Sequence, residues 1–209
     1  MSAHNTRDKI CEAAIRAASR DGLLAMTLDN VAKEAGVSKG GVMYHFPSKD
    51  ELVRGMLEYF GTQVEQMVLQ RIADDPNPRF RWARAIVTCL FPAPDSLPVE
   101  ADGEVMSPEV LDRFMLAALA AAVNSPGLIE PLRQVGLRLR QRLLSDPEDG
   151  LEQLLVWLAV DGLFLWQYVG LIRRDDPLYA NIGAVLRAKV GALPASRSEC
   201  TAVSDEAES

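Results

Sequence analysis

The chain is poor in the residues that carry most protein chemistry. Among 209 residues there are three cysteines and two histidines. Cys11, Cys89 and Cys200 are odd in number and widely spaced, which excludes a disulfide framework and points to a reducing, cytoplasmic setting. No CxxC or HxxxH pair accompanies His4 and His45, so a zinc site has no ligand set and no cofactor is expected. No glycine-rich loop follows a strand and no nucleophile elbow occurs, so the chain does not read as an enzyme. No charged-then-apolar leader opens the sequence. Alternating apolar and polar residues, the mark of a half-buried strand, are also missing.

Long apolar runs are scarce too. Residues 151–172 are apolar on nearly every side, but Glu152, Asp161 and Gln167 interrupt them. The longest charge-free stretch, Gly162 to Ile172, has 11 residues, well short of the about 20 that a membrane helix needs. A helix apolar all round is otherwise buried in protein, here most simply at a subunit interface.

The net charge of −7 looks wrong for a nucleic-acid binder. Residues 1–61, however, hold 8 Lys/Arg and 8 Asp/Glu, so the acidity belongs to the rest of the chain. A local basic face at the front stays compatible with the acidic whole.

Apolar residues recur at helical spacing almost throughout. A first helix over 7–20 puts Ile10, Ala13, Ala14, Ala17 and Ala18 on one stripe, with Thr6 as its cap and Gly22 as its end. A second follows Thr27 and stops at Gly36. A third runs from Ser38 to Phe46, before Pro47. A fourth opens on the capping box Ser48 to Glu51 and continues toward Ile72. Five capping-residue–proline pairs (Asn77-Pro78, Ser107-Pro108, Ser125-Pro126, Asp146-Pro147 and Asp176-Pro177) predict helices over 78–91, 107–123, 126–145, 147–173 and 177–192. The fold class is therefore all-α, with about nine helices. Phe91 to Ser107, rich in proline and acid, reads as a mobile loop, and the small, acidic tail 194–209 as disordered.

Leu28 to Ala35, the turn Gly36-Val37-Ser38 and Lys39 to Phe46 fit a helix-turn-helix. Gly40 and Gly41 sit in the first turn of its second helix, where each costs about 1 kcal/mol relative to alanine. Close approach of the backbone to another molecule is one reason to carry them. On a helical wheel Val42 and Phe46 point one way, and Gly40, Gly41 and Tyr44 roughly the other. That thin face with one aromatic suits a major groove.

The stretch Thr27 to Gly40 (TLDNVAKEAGVSKG), followed by His45 to Leu52 (HFPSKDEL), resembles the TetR family of transcriptional regulators. Arg7, Ile10, Ala13, Ala14 and Gly22 also fall where that family has them. The resemblance implies a homodimer that binds a palindromic operator in double-stranded DNA, usually as a repressor, and answers to a small-molecule effector. It implies a helix-turn-helix DNA-binding domain over 1–47 and a ligand-binding and dimerisation domain over 48–193. Lys39, Gly41 and Tyr44 match positions that commonly touch bases; Thr27, His45 and Lys49 match phosphate positions. Ser38 and Gly40 complete the expected contact set. Met43 stands where many members have a tyrosine.

For a largely apolar effector, the candidates are three helical stripes: Trp82, Ile86 and Cys89; Phe114 and Met115; and Trp157, Asp161, Phe164 and Tyr168. A carboxylate among aromatics suits a lipophilic cation; an arginine partner or a cross-helix hydrogen bond would account for Asp161 equally well. Cys89, with no basic neighbour in sequence, reads as a small buried apolar residue. The expected dimer interface uses Gly162, Trp166, Val169 and Gly170, then Ile182, Val185, Leu186, Lys189 and Leu193. No membrane partner is expected.

Overall fold

The computed structural model describes residues 5–91, 108–145 and 149–191. The proline-rich stretch 92–107, the Asp146-Pro147 pair, Leu193, Cys200 and the acidic tail lie outside them. Among the described residues there are nine α-helices, one short 3-10 turn and no strand. They are α1 (Thr6–Asp21), α2 (Leu28–Ala35), α3 (Lys39–His45), α4 (Lys49–Asp74), α5 (Arg81–Leu90), α6 (Pro108–Asn124), α7 (Glu130–Leu144), α8 (Gly150–Tyr168) and α9 (Pro177–Gly191). No helix among these residues is long and apolar enough to cross a membrane.

Local chemistry explains the boundaries and corrects several expected ones. Asn5, not Thr6, caps α1: its side chain accepts the Asp8 amide at 2.9 Å, and Thr6 is already helical. Thr27, Ser38 and Ser48 cap as expected, accepting the amides of Asn30, Gly41 and Glu51. Asn77-Pro78 does not start a helix. The Asn77 side chain instead takes the Arg79 amide in a tight turn, and Phe80 adopts φ 55°, so α5 begins only at Arg81. Ser125-Pro126 opens the 3-10 turn Pro126–Ile129 before α7 takes over. The eighth helix ends at Tyr168 rather than 173. Gly170, at φ 75°, reverses the chain, its amide on Gln167 O and the Leu171 amide on Trp166 O.

Packing separates two compact units. Of the described residues, the first takes 5–67 and 108–142, the second 68–91, 143–145 and 149–191. In the first, α1, α2, α3, α4 and α6 share one core. Ile10, Ala14, Val31, Val42, Phe46, Met56, Leu57 and Phe114 are buried there, with Phe114 edge-on to Phe60 at 5.2 Å. Cys11 lies in that core, and burial pushes its thiol up to about 12. The small alanines of α1 let α6 pack close against it.

In the second unit α5 packs against α8 and α9. A buried polar pair organises the start of α5, which has no cap of its own. Gln153 Oε1 accepts the amides of Trp82 and Ala83 at 2.9 and 3.1 Å, and Gln153 Nε2 donates to Asp149. Asp149 also accepts the Phe80 amide and faces Arg79 at 3.6 Å. Orphan helix amides thus find a partner some 70 residues away in the chain.

Candidate functional site

The helix-turn-helix is built from short-range chemistry. Gly36, at φ 67° and ψ 30°, ends α2 in the left-handed conformation that a Cβ disfavours. The Val37 amide returns to Ala32 O at 3.0 Å and sets the turn. Ser38 then starts α3, which buries Val42 and leads into buried Phe46.

The opposite face of α3 is open. Tyr44 is 84% exposed, and its ring meets His45 edge-on at 5.1 Å. Met43 is exposed and His45 half-buried. A Cβ at Gly40 would come no closer than 3.8 Å to Ser38 Oγ, and one at Gly41 no closer than 3.4 Å. Packing within the chain therefore does not require either glycine. On the outer side they leave a shallow backbone surface beside a projecting phenol.

Both lysines of the expected contact set are already engaged. Lys39 Nζ pairs with Asp29 at 2.8 Å, across α2 and α3. Lys49 Nζ donates to the carbonyl of Leu24 at 2.6 Å. Each ammonium has three donors, so one partner leaves two. Thr27 and Ser38 are exposed; each hydroxyl oxygen accepts a capping amide, which leaves its O–H to donate. Asp29 and Leu24 escaped the sequence reading because their partners lie 10 and 25 residues away.

The effector candidates are divided between the two units. Phe114 is fully buried in the first unit's core, and Met115 packs against that core. Trp82 and Ile86 are buried on α5 in the second unit, with Cys89 half-buried beyond them. Burial raises the Cys89 thiol; the charge of Arg71, which the sequence does not place nearby, offsets part of this. On α8 the structure pairs Trp157 with Asp161 by a hydrogen bond, and Phe164 with Tyr168 as stacked rings 6.2 Å apart. Asp161 is exposed at the surface of α8; crowding by neighbouring side chains still pushes its carboxyl up to about 6, against the opposing pull of the Trp157 bond.

Of the interface candidates, Gly162, Trp166, Val169, Val185 and Lys189 are exposed, Ile182 is half-buried, and Leu186 is buried in its own unit. Val169 and Gly170 lie beyond the end of α8, and Gly170 serves as the chain-reversing residue. Leu151, Leu155, Leu158 and Leu165 are exposed and were not singled out in the sequence. With Gly162 and Val169 they follow a 4-3-4-3-4 spacing, a seam-like apolar stripe that the general hydrophobicity of 151–172 conceals.

Residues 10–56 match the model of bacterial regulatory proteins of the tetR family, and residues 80–190, more than half of the chain, match the tetracyclin repressor-like C-terminal domain. The chain belongs to the TetR family. The regulator TtgR of Pseudomonas putida is 43% identical over 56 residues, 27% of each chain, so the match spans about a quarter of that relative's length. AcrR of Shigella flexneri is 29% identical over 87 residues, 42% of this chain and 40% of its own. Among solved structures, a transcriptional regulator from Rhodococcus sp. Rha1 is 25% identical, with a TM-score of 0.59 over 90% of this chain and 95% of that one. EbrR, a multidrug binding protein solved with malachite green, shares the fold at 22% identity and a TM-score of 0.58, over 88% and 96% of the two chains. The TetR-family match to residues 10–56 contains α2 and α3 whole; the C-terminal match contains α5 to α8 whole and α9 up to Val190.

Proposed function

We propose that this TetR-family chain is a homodimeric DNA-binding regulator, a repressor that leaves a palindromic operator when a small molecule binds. One observation carries the reading. Tyr44 projects from a short helix whose other face is buried and whose first turn carries two glycines that internal packing does not require. In this reading Lys39, Gly41 and Tyr44 face base edges. Thr27, His45, Lys49 and the amide ends of α2 and α3, with Ser38 and Gly40, line the phosphates. The exposed stripe of α8, together with Val185 of α9, faces the second copy.

Selection of duplex DNA from a random pool tests this. A two-fold symmetric site is expected to emerge, with affinity falling steeply as salt rises. Folded protein that enriches nothing at low salt would refute the DNA-binding claim.

Asp29 tempers the same face. Asp29→Asn removes a negative charge and frees Lys39. The expected result is severalfold tighter binding to any duplex and a smaller operator-to-random affinity ratio, read by competition titration.

The effector is largely apolar, and the Trp157–Asp161 pair beside Phe164 and Tyr168 suits one that bears a positive charge. Ethidium is the probe. Its binding is expected to tighten from pH 5 to pH 7, with a midpoint near the Asp161 value of about 6, and to lose that dependence in Asp161→Asn. The sign follows from charge: only the carboxylate attracts the cation. For stability it runs the other way. A carboxyl raised by folding makes the folded state the better proton binder, so stability falls as pH rises through the interval from about 4 to about 6.

A further inference from the structure

Two glycines of α4 are notches filled by other helices. A Cβ at Gly55 would lie 2.3 Å from the Phe46 ring, and one at Gly61 would lie 2.8 Å from Val135 Cγ2 on α7. Both fall well inside the about 3.5–4.0 Å at which carbon atoms meet. Gly55 therefore seats the end of the recognition helix, and the Arg7 guanidinium covers the same ring at 5.0 Å. Gly61 seats α7. One turn further along α4, Glu65 pairs with Arg138 at 2.6 Å and Arg142 at 3.5 Å, both on α7. We propose that Gly61, Val135 and the Glu65–Arg138–Arg142 cluster are positioning residues: through them α7 sets α4, and α4, through Gly55 and Phe46, sets the recognition helix on DNA.

The mechanics follow from the spacing. Gly55 and Gly61 are six residues apart, about 9 Å along a rigid helix. A methyl group at position 61 must displace the Val135 side chain, and with it α7 or α4, by up to roughly 1 Å. Packed helices do not absorb such a shift smoothly. A displacement of α4 reaches the Phe46 seat, and in a two-fold dimer it changes the separation of two recognition helices. Both α4 and α7 also run on, as continuous chain, into residues of the second unit, where most of the effector candidates lie. The proposal rests on the DNA-binding reading above and adds the residues that transmit position.

The test is a double-mutant cycle in the full chain, using the operator selected with the wild type and a scrambled duplex of equal length. Gly61→Ala is expected to weaken operator binding by about tenfold or more, within the range usual for coupled sites. Its affinity for the scrambled duplex should stay near wild type, and its thermal midpoint should fall by only a few degrees, because the helix propensity of alanine offsets part of the overpacking. Val135→Ala removes the Cγ2 methyl that the new Cβ would meet at 2.8 Å. The double variant is therefore expected to recover most of the operator affinity, a rescue that general destabilisation would not produce. Unchanged operator affinity in Gly61→Ala overturns the proposal. So does failure of the double variant to recover while Val135→Ala alone binds normally. If Gly61→Ala does not fold, Glu65→Gln decides: weaker operator binding at an unchanged midpoint supports the coupling, and unchanged binding overturns it. A wild type that selects no duplex defeats the DNA-binding reading itself, and that failure is seen before any variant is made.

Discussion

Tyr44→Ala is expected to lose operator selection while leaving the fold intact. The phenol is 84% exposed, so its removal takes away almost no buried area, and the stability change should stay within about 0.5 kcal/mol. At the DNA the effect is large for a reason written into α3. The neighbours of Tyr44 on the open face are Gly40 and Gly41, which have no side chain to take over its contacts. Losing about 1–2 kcal/mol at each of two half-sites multiplies to roughly 30- to 1,000-fold in a two-fold dimer. Binding to random duplex should change far less, because phosphate contacts from Lys39, Lys49 and the helix ends remain. Tyr44→Phe separates ring from hydroxyl. Affinities for operator and random duplex, measured for all three proteins, check the prediction. An alanine variant that selects the same site as wild type would remove Tyr44 from the interface.

Gln153→Leu is expected to cause the largest loss of stability of any single change in the second unit. The side chain is fully buried and makes three hydrogen bonds, two to the first amides of α5 and one to Asp149. Leucine has a similar volume, so no large cavity opens. What is lost is the partner of two amides at a helix start and the donor that steadies a buried carboxylate. Unsatisfied buried groups cost about 1–3 kcal/mol each, so the total comes to about 3–5 kcal/mol. For a chain of this length that lowers the midpoint by roughly 6–20 °C. Thermal and denaturant unfolding of the two proteins measure it. A loss under about 1 kcal/mol would mean that water replaces the amide at no cost.

The helix-turn-helix was legible from residues 27–52 because its determinants are local. Thr27 and Ser38 cap amides three residues on, Gly36 provides a left-handed turn, and Val42 and Phe46 are one turn apart. Each is a rule about near neighbours, and each survives in the structure. The all-helical class and most helix starts follow from the same kind of rule. At Gly170 the misplaced boundary was itself local, a left-handed glycine ending the helix early; at Asn77-Pro78 two local signals competed, and a tertiary contact chose between them. Gln153 stood in for the missing cap of α5, and so the helix begins at Arg81.

The candidate site divides along the same line. That Tyr44 lies opposite Val42 and Phe46 is helical periodicity, and the sequence alone determined it. That Lys39 is held by Asp29, Lys49 by Leu24, and Phe114 by the first core required the tertiary structure. So did the tasks of Gly55 and Gly61, which in sequence are two unremarked glycines inside a helix. A glycine notch has no signature of its own, because its meaning is the side chain that fills it. Phe46 lies nine residues from its notch and Val135 seventy-four from the other. Periodicity tells which way a side chain faces on its own helix; only the fold decides what it meets there.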